Sequence, residues 1–191
     1  MDDVSKYKIT DILSVLKKGG VILYPTDTIW GIGCDATNGR AVENVYRIKE
    51  RISDKSFILL VKDLDMLKKY VVEVPDIAVE LLASVSEPLT IIYPKGKNLP
   101  KNVVADDGSV AIRIPRHDFC QELLDAFGKP ITSTSANISG GAIPYSYRSI
   151  EQHIKDSVDH IVRLEQGTIS RPKPSTIVKI DSGGDIRILR N

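Results

Sequence analysis

The chain contains few of the residues that mark disulfide-bonded or zinc-binding proteins. Cys34 and Cys120 are the two cysteines among 191 residues. They lie far apart in the sequence, and neither has a His or a second Cys at the spacing of a zinc site. This count argues against a disulfide framework and a zinc site, so we expect two reduced thiols that serve in packing.

Long apolar runs and a strong net charge are also missing. The opening residues MDDVSKYKITDI are acidic and lack the apolar stretch of a signal peptide, and no segment approaches the length of a membrane span. We therefore expect a cytoplasmic protein without a membrane segment. The formal net charge of +1 argues against wrapping of DNA, so any affinity for nucleic acid would require a local basic patch.

Several motifs of common enzyme families are absent. The chain has neither the Gly-x4-Gly-Lys-Ser/Thr loop nor the Gly-x-Gly-x-x-Gly fingerprint, which excludes two familiar nucleotide-binding folds. It has no Gly-x-Ser-x-Gly elbow, and its three histidines lack a Ser or Cys partner at a recognised spacing. No pair of carboxylates stands out for acid–base work either. These absences leave chemistry that depends on positioning and on charge stabilisation, such as adenylyl transfer.

The patterns that are present predict one mixed α/β domain spanning residues 1–191. Apolar residues at helical spacing predict a first helix from Ile9 to Leu16, and Asn38 is expected to cap a second helix. Three further helices are predicted at DLDMLKKY, DIAVELLAS and around residues 119–127. Strands are predicted at VILYP, FILLV, PLTIIYP, VAIRIP, KPIT, HIVRL, STIVKI and DIRILR. Because the late strands follow one another without a helix, part of the sheet should be antiparallel.

Three polar segments follow predicted strands or helices: YPTDTIWGIG, KERISDK and ITSTSANISGG. In the second, Lys49, Arg51 and Lys55 could together neutralise a polyphosphate. In the third, Ser133 and alternate residues after it would face one side if the strand continued through residue 137. A glycine-rich turn, a solvated basic helix end and a capped polar loop remain the alternative interpretations of the three segments.

Taken in order, these motifs resemble those of the YrdC-like family of threonylcarbamoyl-AMP synthases. YPTDTIWGIGCD resembles the family's Tyr-Pro-Thr-Asp/Glu-Thr-x-x-Gly-Leu-Gly stretch. Lys49-Glu50-Arg51 matches its Lys-x-Arg motif, and Ser135-Ala136-Asn137 matches its Ser/Thr-x-Asn motif. VAIRIP, PSTIVKI and the terminal ILR match in the same order, so the resemblance runs from about residue 9 to residue 191.

The resemblance implies a fold and a reaction. The fold would be a single domain with a twisted, mixed parallel and antiparallel sheet flanked by helices and a large, positively charged cleft. The reaction would join L-threonine, bicarbonate or CO2, and ATP into threonylcarbamoyl-AMP and pyrophosphate. That adenylate would be passed to the complex that makes t6A beside the anticodon of tRNA. Mg2+ would arrive with ATP, so no dedicated metal ligands are expected.

The resemblance also assigns residues to the two substrates. Lys49 and Arg51 would act on the reacting phosphates, and Arg113 would bind the threonine carboxylate through its fork of donors. The full ATP set would be Lys49, Arg51, Lys55, Ser109, Ser135, Asn137 and Arg190. The threonine set would be Thr26, Arg113, Ser133 and Ser175.

Two departures from the family pattern and two other functions remain open. Ile52 stands where the family usually has Pro, and Leu60 stands where longer relatives place a His. The first alternative function is a non-catalytic module that binds double-stranded RNA or tRNA, although the chain has no cluster of aromatics beside its cations. The second is the carbamoyl-adenylate-forming domain of hydrogenase-maturation carbamoyltransferases, whose acylphosphatase-like and zinc-binding segments are not found here.

Overall fold

A mixed sheet forms the centre of the computed structural model, which describes residues 8–51, 57–164 and 173–191. Within these residues the sheet has nine strands in the order β7-β1-β2-β6-β3-β5-β4-β8-β9. They are β1 (Ile22–Tyr24), β2 (Gly31–Gly33), β3 (Ile58–Leu60), β4 (Leu89–Tyr93), β5 (Val110–Arg113), β6 (Ile131–Ser135), β7 (His160–Ile161), β8 (Thr176–Ile180) and β9 (Ile186–Arg190). The pairs β1–β7, β3–β5 and β4–β8 are parallel and the others are antiparallel, which confirms the predicted mixed sheet.

Six α-helices accompany the sheet in the described part of the chain. They are α1 (Ile9–Lys17), α2 (Gly39–Ile48), α3 (Leu64–Lys68), α4 (Asp76–Ser84), α5 (Asp118–Phe127) and α6 (Gln152–Ser157). Asn38 caps α2 as predicted, because its side chain accepts hydrogen bonds from the amides of Arg40 and Ala41. The longest of these helices have ten residues, and none of them has the length and hydrophobicity needed to cross a membrane.

The sequence did not predict β2 or α6. β2 contains two glycines, which have low strand propensity, so the sequence alone predicts a loop here. Here glycine is required because a Cβ on Gly33 would lie 2.1 Å from the carbonyl oxygen of Thr132 in the neighbouring strand β6. The close approach of β2 and β6 therefore explains why Gly33 is needed, and the low strand propensity of this glycine is why the strand was not predicted.

Helices cover the two faces of the sheet unequally. On one face, α1 and α5 pack on β1, β3 and β6 through a cluster that includes Leu16, Phe119, Tyr24, Leu60 and Ile131. No described residue of β4, β5, β8 or β9 belongs to that cluster. The other face carries the larger cluster, to which α2 and α3 contribute. The first face is therefore open towards β8 and β9, and polar side chains that alternate with the core residues occupy that open part.

Candidate active site

A pocket of about 260 Å³ lies on the open part of the sheet face. It draws on strands that are far apart in the sequence but adjacent in the sheet. Register pairs Ser133 of β6 with Ile58 of β3, and Ile177 of β8 with Arg190 of β9. The lining residues are Thr26, Thr28, Ile29, Gly31, Arg51, Phe57, Ile58, Arg113, Ser133, Thr134, Ser135, Ile143, Pro174, Ser175, Ile177 and Arg190.

Three guanidinium groups and no carboxylate line this pocket among the described residues. The cations are Arg51, Arg113 and Arg190. Partial burial, and then the nearby charge of Arg113, lower the pKa of Arg190. A concave surface with cations and hydroxyls suits an anionic ligand. The large, positively charged cleft implied by the resemblance stays a prediction.

Arg113 is the most enclosed of the three arginines. Its side chain is 4% exposed, its Nη1 donates to Thr28 Oγ1 at 2.9 Å, and its Nη2 lies 3.5 Å from Asp27 Oδ1. Its buried Nε–H has no hydrogen-bond partner within the described ranges. A buried donor without an acceptor is costly, so this geometry favours an anionic ligand that accepts from Nε.

The Thr26 hydroxyl is already used by its own loop. It donates to the carbonyl of Ile29 at 2.8 Å and accepts from the amides of Thr28 and Ile29 at 3.0 and 3.2 Å. This is the local side-chain-to-backbone bonding by which Thr stabilises a turn. Thr26 lies in the pocket wall, and a direct contact with threonine stays a prediction.

Strand β6 presents Ser133 and Ser135 to the pocket, but the strand ends at Ser135. The alternation expected to reach residue 137 therefore stops one step early. Asn137 is 6% exposed, does not line the pocket, and donates its side-chain amide to the carbonyls of Ile138 and Gly141. In this geometry Asn137 shapes the turn that follows the strand.

Ser175 and Arg190 meet at the other side of the pocket. Arg190 donates from Nε and Nη2 to the carbonyl oxygen of Ser175 at 3.0 and 2.9 Å. The Ser175 hydroxyl lies 2.7 Å from the Thr90 hydroxyl, and both groups are buried. Ser175 thus links β9 to β4, the two strands that lie on either side of β8 in the sheet.

Three of the predicted residues lie in the described structure outside the pocket lining. Besides Asn137, these are Lys49 and Ser109. Lys49 is 2% exposed, and burial together with the nearby charge of Arg51 lowers its pKa to about 8. Ser109 precedes β5, at the opposite end of that strand from Arg113, and its amide donates to Asp107 Oδ1 at 2.9 Å. Lys55 and Ile52 lie outside the described residues.

A sharp turn at the end of α2 directs the side chains of Lys49 and Arg51 to different parts of the structure. The Arg51 amide donates to Tyr46 O and the Glu50 amide to Arg47 O, which is the Schellman pattern of helix termination. Glu50 adopts φ +48° to close it. The Arg51 guanidinium then lies 4.9 Å above the Phe57 ring, at the pocket wall.

Sequence reasoning assigned no ligand role to Thr28 or Phe57, which both line the pocket. Thr28 lies in the TDT stretch, two residues after Thr26, and this spacing is the signal that could have singled it out. Phe57 begins the apolar run FILLV and carries no polar signal, because its contribution is a contact with Arg51. In the described part of the chain no three His, Cys, Asp or Glu residues are grouped as metal ligands.

The family model for Sua5, YciO and YrdC proteins, described as "Telomere recombination", matches residues 14–191. The chain belongs to this family. A curated relative from Vibrio parahaemolyticus, named threonylcarbamoyl-AMP synthase, is 36% identical over 170 residues, which cover 87% of this chain and 90% of that protein. The relatives of the chain thus include enzymes that transfer a nucleotidyl group.

Solved structures of three other proteins share the fold. P. abyssi Sua5 complexed with L-threonine superposes with a TM-score of 0.89 at 25% identity, covering 99% of this chain. E. coli YciO gives 0.81 at 28% identity, covering 96% of this chain and 88% of YciO. Full-length HypF in its phosphate- and nucleotide-bound form gives 0.81 at 25% identity, covering 95% of this chain. This chain spans 55% of the Sua5 chain and 28% of the HypF chain.

Proposed function

We propose that the chain is an L-threonylcarbamoyladenylate synthase. The observation that carries the proposal is the convergence of three arginines and several hydroxyls on one pocket, whose described lining contains no carboxylate. The curated relative of that name and the Sua5 complex with L-threonine support the same choice of substrates. A site of this composition can bind an amino-acid carboxylate and a polyphosphate together.

Threonine would occupy the side of the pocket that contains Arg113. The Nε–H of Arg113, which has no partner among the residues that the structure describes, would bind the substrate carboxylate, with Thr28 and Asp27 fixing the orientation of the guanidinium. Ser133 and Ser175 have hydroxyls that can donate to or accept from the threonine side chain. Thr26 would hold the loop that forms this side.

ATP would lie beside threonine with its phosphates near Arg51 and Arg190. Ser135 would add a hydroxyl from β6. Lys55, Ser109 and Asn137 remain in the proposed ATP set on the family resemblance, together with Lys49. Mg2+, bound with ATP, would supply neutralisation of the triphosphate charge.

The proposed reaction requires no nucleophile from the protein. The amine of threonine captures CO2, losing a proton, and a carbamate oxygen then attacks the α-phosphorus of ATP. The bond from the α-phosphorus to the bridging oxygen breaks, and pyrophosphate leaves. Arg51 and Arg190 would stabilise the negative charge on the phosphates, while Arg113 would keep the carbamate in line with the α-phosphorus.

The adenylate would then be consumed by a transferase that acts on tRNA, in the cytoplasm. Direct binding of tRNA or double-stranded RNA by this chain is a separate property, which a gel-shift assay with and without ATP would measure.

The deciding experiment offers the protein ATP, bicarbonate, Mg2+ and an equimolar pool of amino acids, and identifies adenylates by mass spectrometry. We expect threonylcarbamoyl-AMP and an equal amount of pyrophosphate. A second reaction with carbamoyl phosphate in place of bicarbonate and amino acids tests the HypF-like alternative, which the HypF superposition keeps relevant. Product in the second reaction alone would contradict the proposal and favour the HypF-like function. Product in neither reaction would favour a binding module.

A further inference from the structure

Lys49 reaches away from the pocket and into the turn that follows β6. Its Nζ donates to the carbonyl oxygens of Ser135 and Asn137, at 2.5 and 2.6 Å. Its own carbonyl oxygen accepts from the amide of Ser139 at 2.9 Å. One residue therefore makes three hydrogen bonds to residues 135–139.

These bonds add to other contacts of the same segment, in which the Ala136 amide donates to the carbonyl oxygen of Trp30 at 3.0 Å and the Asn137 side chain donates to the carbonyls of Ile138 and Gly141. After β6 ends at Ser135, the chain makes a tight turn in which the Asn137 amide donates to Ser135 O at 2.9 Å. That turn points two carbonyl groups, two residues apart, at the same ammonium group. Charge-assisted bonds are stronger than neutral ones, so Lys49 fixes where β6 ends and how Ser135 faces the pocket.

The end of α2 separates Lys49 from Arg51. Glu50 in the left-handed region reverses the chain between them, which is costly for a residue with a Cβ. As a result Lys49 is 2% exposed under the turn, while Arg51 lies in the pocket wall. The two cations of the same motif thus face different groups.

We infer that Lys49 is a positioning residue, which acts by holding residues 135–139, and that Arg51 is the cation of this turn that contacts phosphate. The inference rests on the proposed function for its ligands. It departs from the assignment of both cations to the triphosphate.

The test compares ATP with AMP, because these ligands share the nucleoside and the α-phosphate and differ only in the β- and γ-phosphates. Calorimetry on Lys49→Met should show ATP and AMP weakened by the same factor, within about twofold, and threonine weakened as well because Ser133 lies on the same strand. The matched variant Arg51→Met should weaken ATP at least about tenfold more than AMP. A loss confined to ATP in Lys49→Met would overturn the inference.

A second measurement needs no ligand. Hydrogen exchange in the ligand-free protein should show faster exchange of the Asn137 and Ser139 amides in Lys49→Met but not in Arg51→Met. Unchanged exchange in Lys49→Met would overturn the inference even if the protein bound neither substrate, whereas failure to bind would count against the proposed function alone. If Lys49→Met does not fold, 15N NMR of the unmodified protein decides: an Nζ signal that responds to ATP but not to AMP would contradict the positioning role, and an equal response would support it.

Discussion

Two groups of pocket residues differ in how firmly they are held before any ligand binds. The inner group, Thr26, Thr28 and Arg113, is at most 4% exposed, and its members are joined by hydrogen bonds of 2.9 Å. The outer group, Arg51 and Arg190, is more exposed. Arg51 lies on the Phe57 ring, and Arg190 is bonded to the carbonyl of Ser175. A group that is fixed in advance loses less entropy on binding, so the inner group should set specificity and the outer group should respond to the phosphates.

The largest effect is expected from Arg113→Met, which tests the inner group. Loss of the charge-assisted hydrogen bond from Nε to the threonine carboxylate, with the Asp27 carboxylate left without its cation near that substrate group, should weaken threonine binding by about 3 kcal/mol or more, roughly 100-fold. Calorimetry with L-threonine measures this. Arg116→Met is the matched control, because the Arg116 side chain bonds to the carbonyls of Val85 and Ser86 outside the pocket. An equal loss of threonine affinity in both variants would show that the inner group has no special role in binding threonine.

Arg51→Ala tests the outer group and should have the next largest effect. Removing one charge-assisted contact should lower the rate of adenylate formation by about 10- to 100-fold, from roughly 1.5 to 3 kcal/mol. The exposed Arg47 in the last turn of α2 provides the control variant Arg47→Ala. Pyrophosphate release reports the rate. Normal turnover in Arg51→Ala would show that the outer group does not face the phosphates.

The third prediction concerns the preference for threonine over valine. Ser175→Ala removes one hydroxyl and should reduce the preference for threonine over valine by about three- to tenfold, with ATP affinity retained. Thr26→Val should instead lower the use of both amino acids, because it breaks the bonds that hold the loop. A competition assay with threonine, serine and valine, read by mass, distinguishes these results. An unchanged ratio in Ser175→Ala would place the hydroxyl partner elsewhere.

The smallest effect is a pH dependence from Lys49, whose pKa is about 8 in the folded protein against an ordinary value of 10.5. Activity should fall gradually above pH 8 as the ammonium loses its charge. Stability should move in the opposite direction, because the unfolded chain binds more protons than the folded one between about pH 8 and 10.5. Chemical denaturation of the unmodified protein and Lys49→Met across this range isolates the contribution, and parallel stability profiles for the two proteins would contradict it.

Most of the strand and helix pattern could be predicted because it depends on local periodicity and capping. Ile9 to Leu16 form α1 and Asn38 caps α2, as the sequence indicates. β2 could not be predicted because Gly33 is required by the close approach of Thr132, which lies about a hundred residues away in the sequence. Such a requirement depends on the fold and leaves no local pattern.

The sequence could indicate which residues belong to the candidate site, but it could not indicate which groups each side chain contacts. Arg51, Arg113, Ser133, Ser135, Ser175, Arg190 and Thr26 all line one pocket, as the motif order suggests. The inward turn of Lys49 was not foreseen, since spacing at a helix end cannot show which way a side chain passes after a residue with positive φ. Whether each residue contacts its assigned substrate stays a prediction.

The order of strands in the sheet has a consequence for how binding and unfolding are linked. Thr26 and Arg190 lie at nearly opposite ends of the chain, yet both belong to one pocket. A fragment that lacks either residue therefore cannot form the complete site, and a ligand that binds there recognises the folded sheet. By mass action, a ligand at 100 times its Kd should raise the free energy of global unfolding by about 2.7 kcal/mol. Substrate availability would then set the lifetime of the protein against proteolysis.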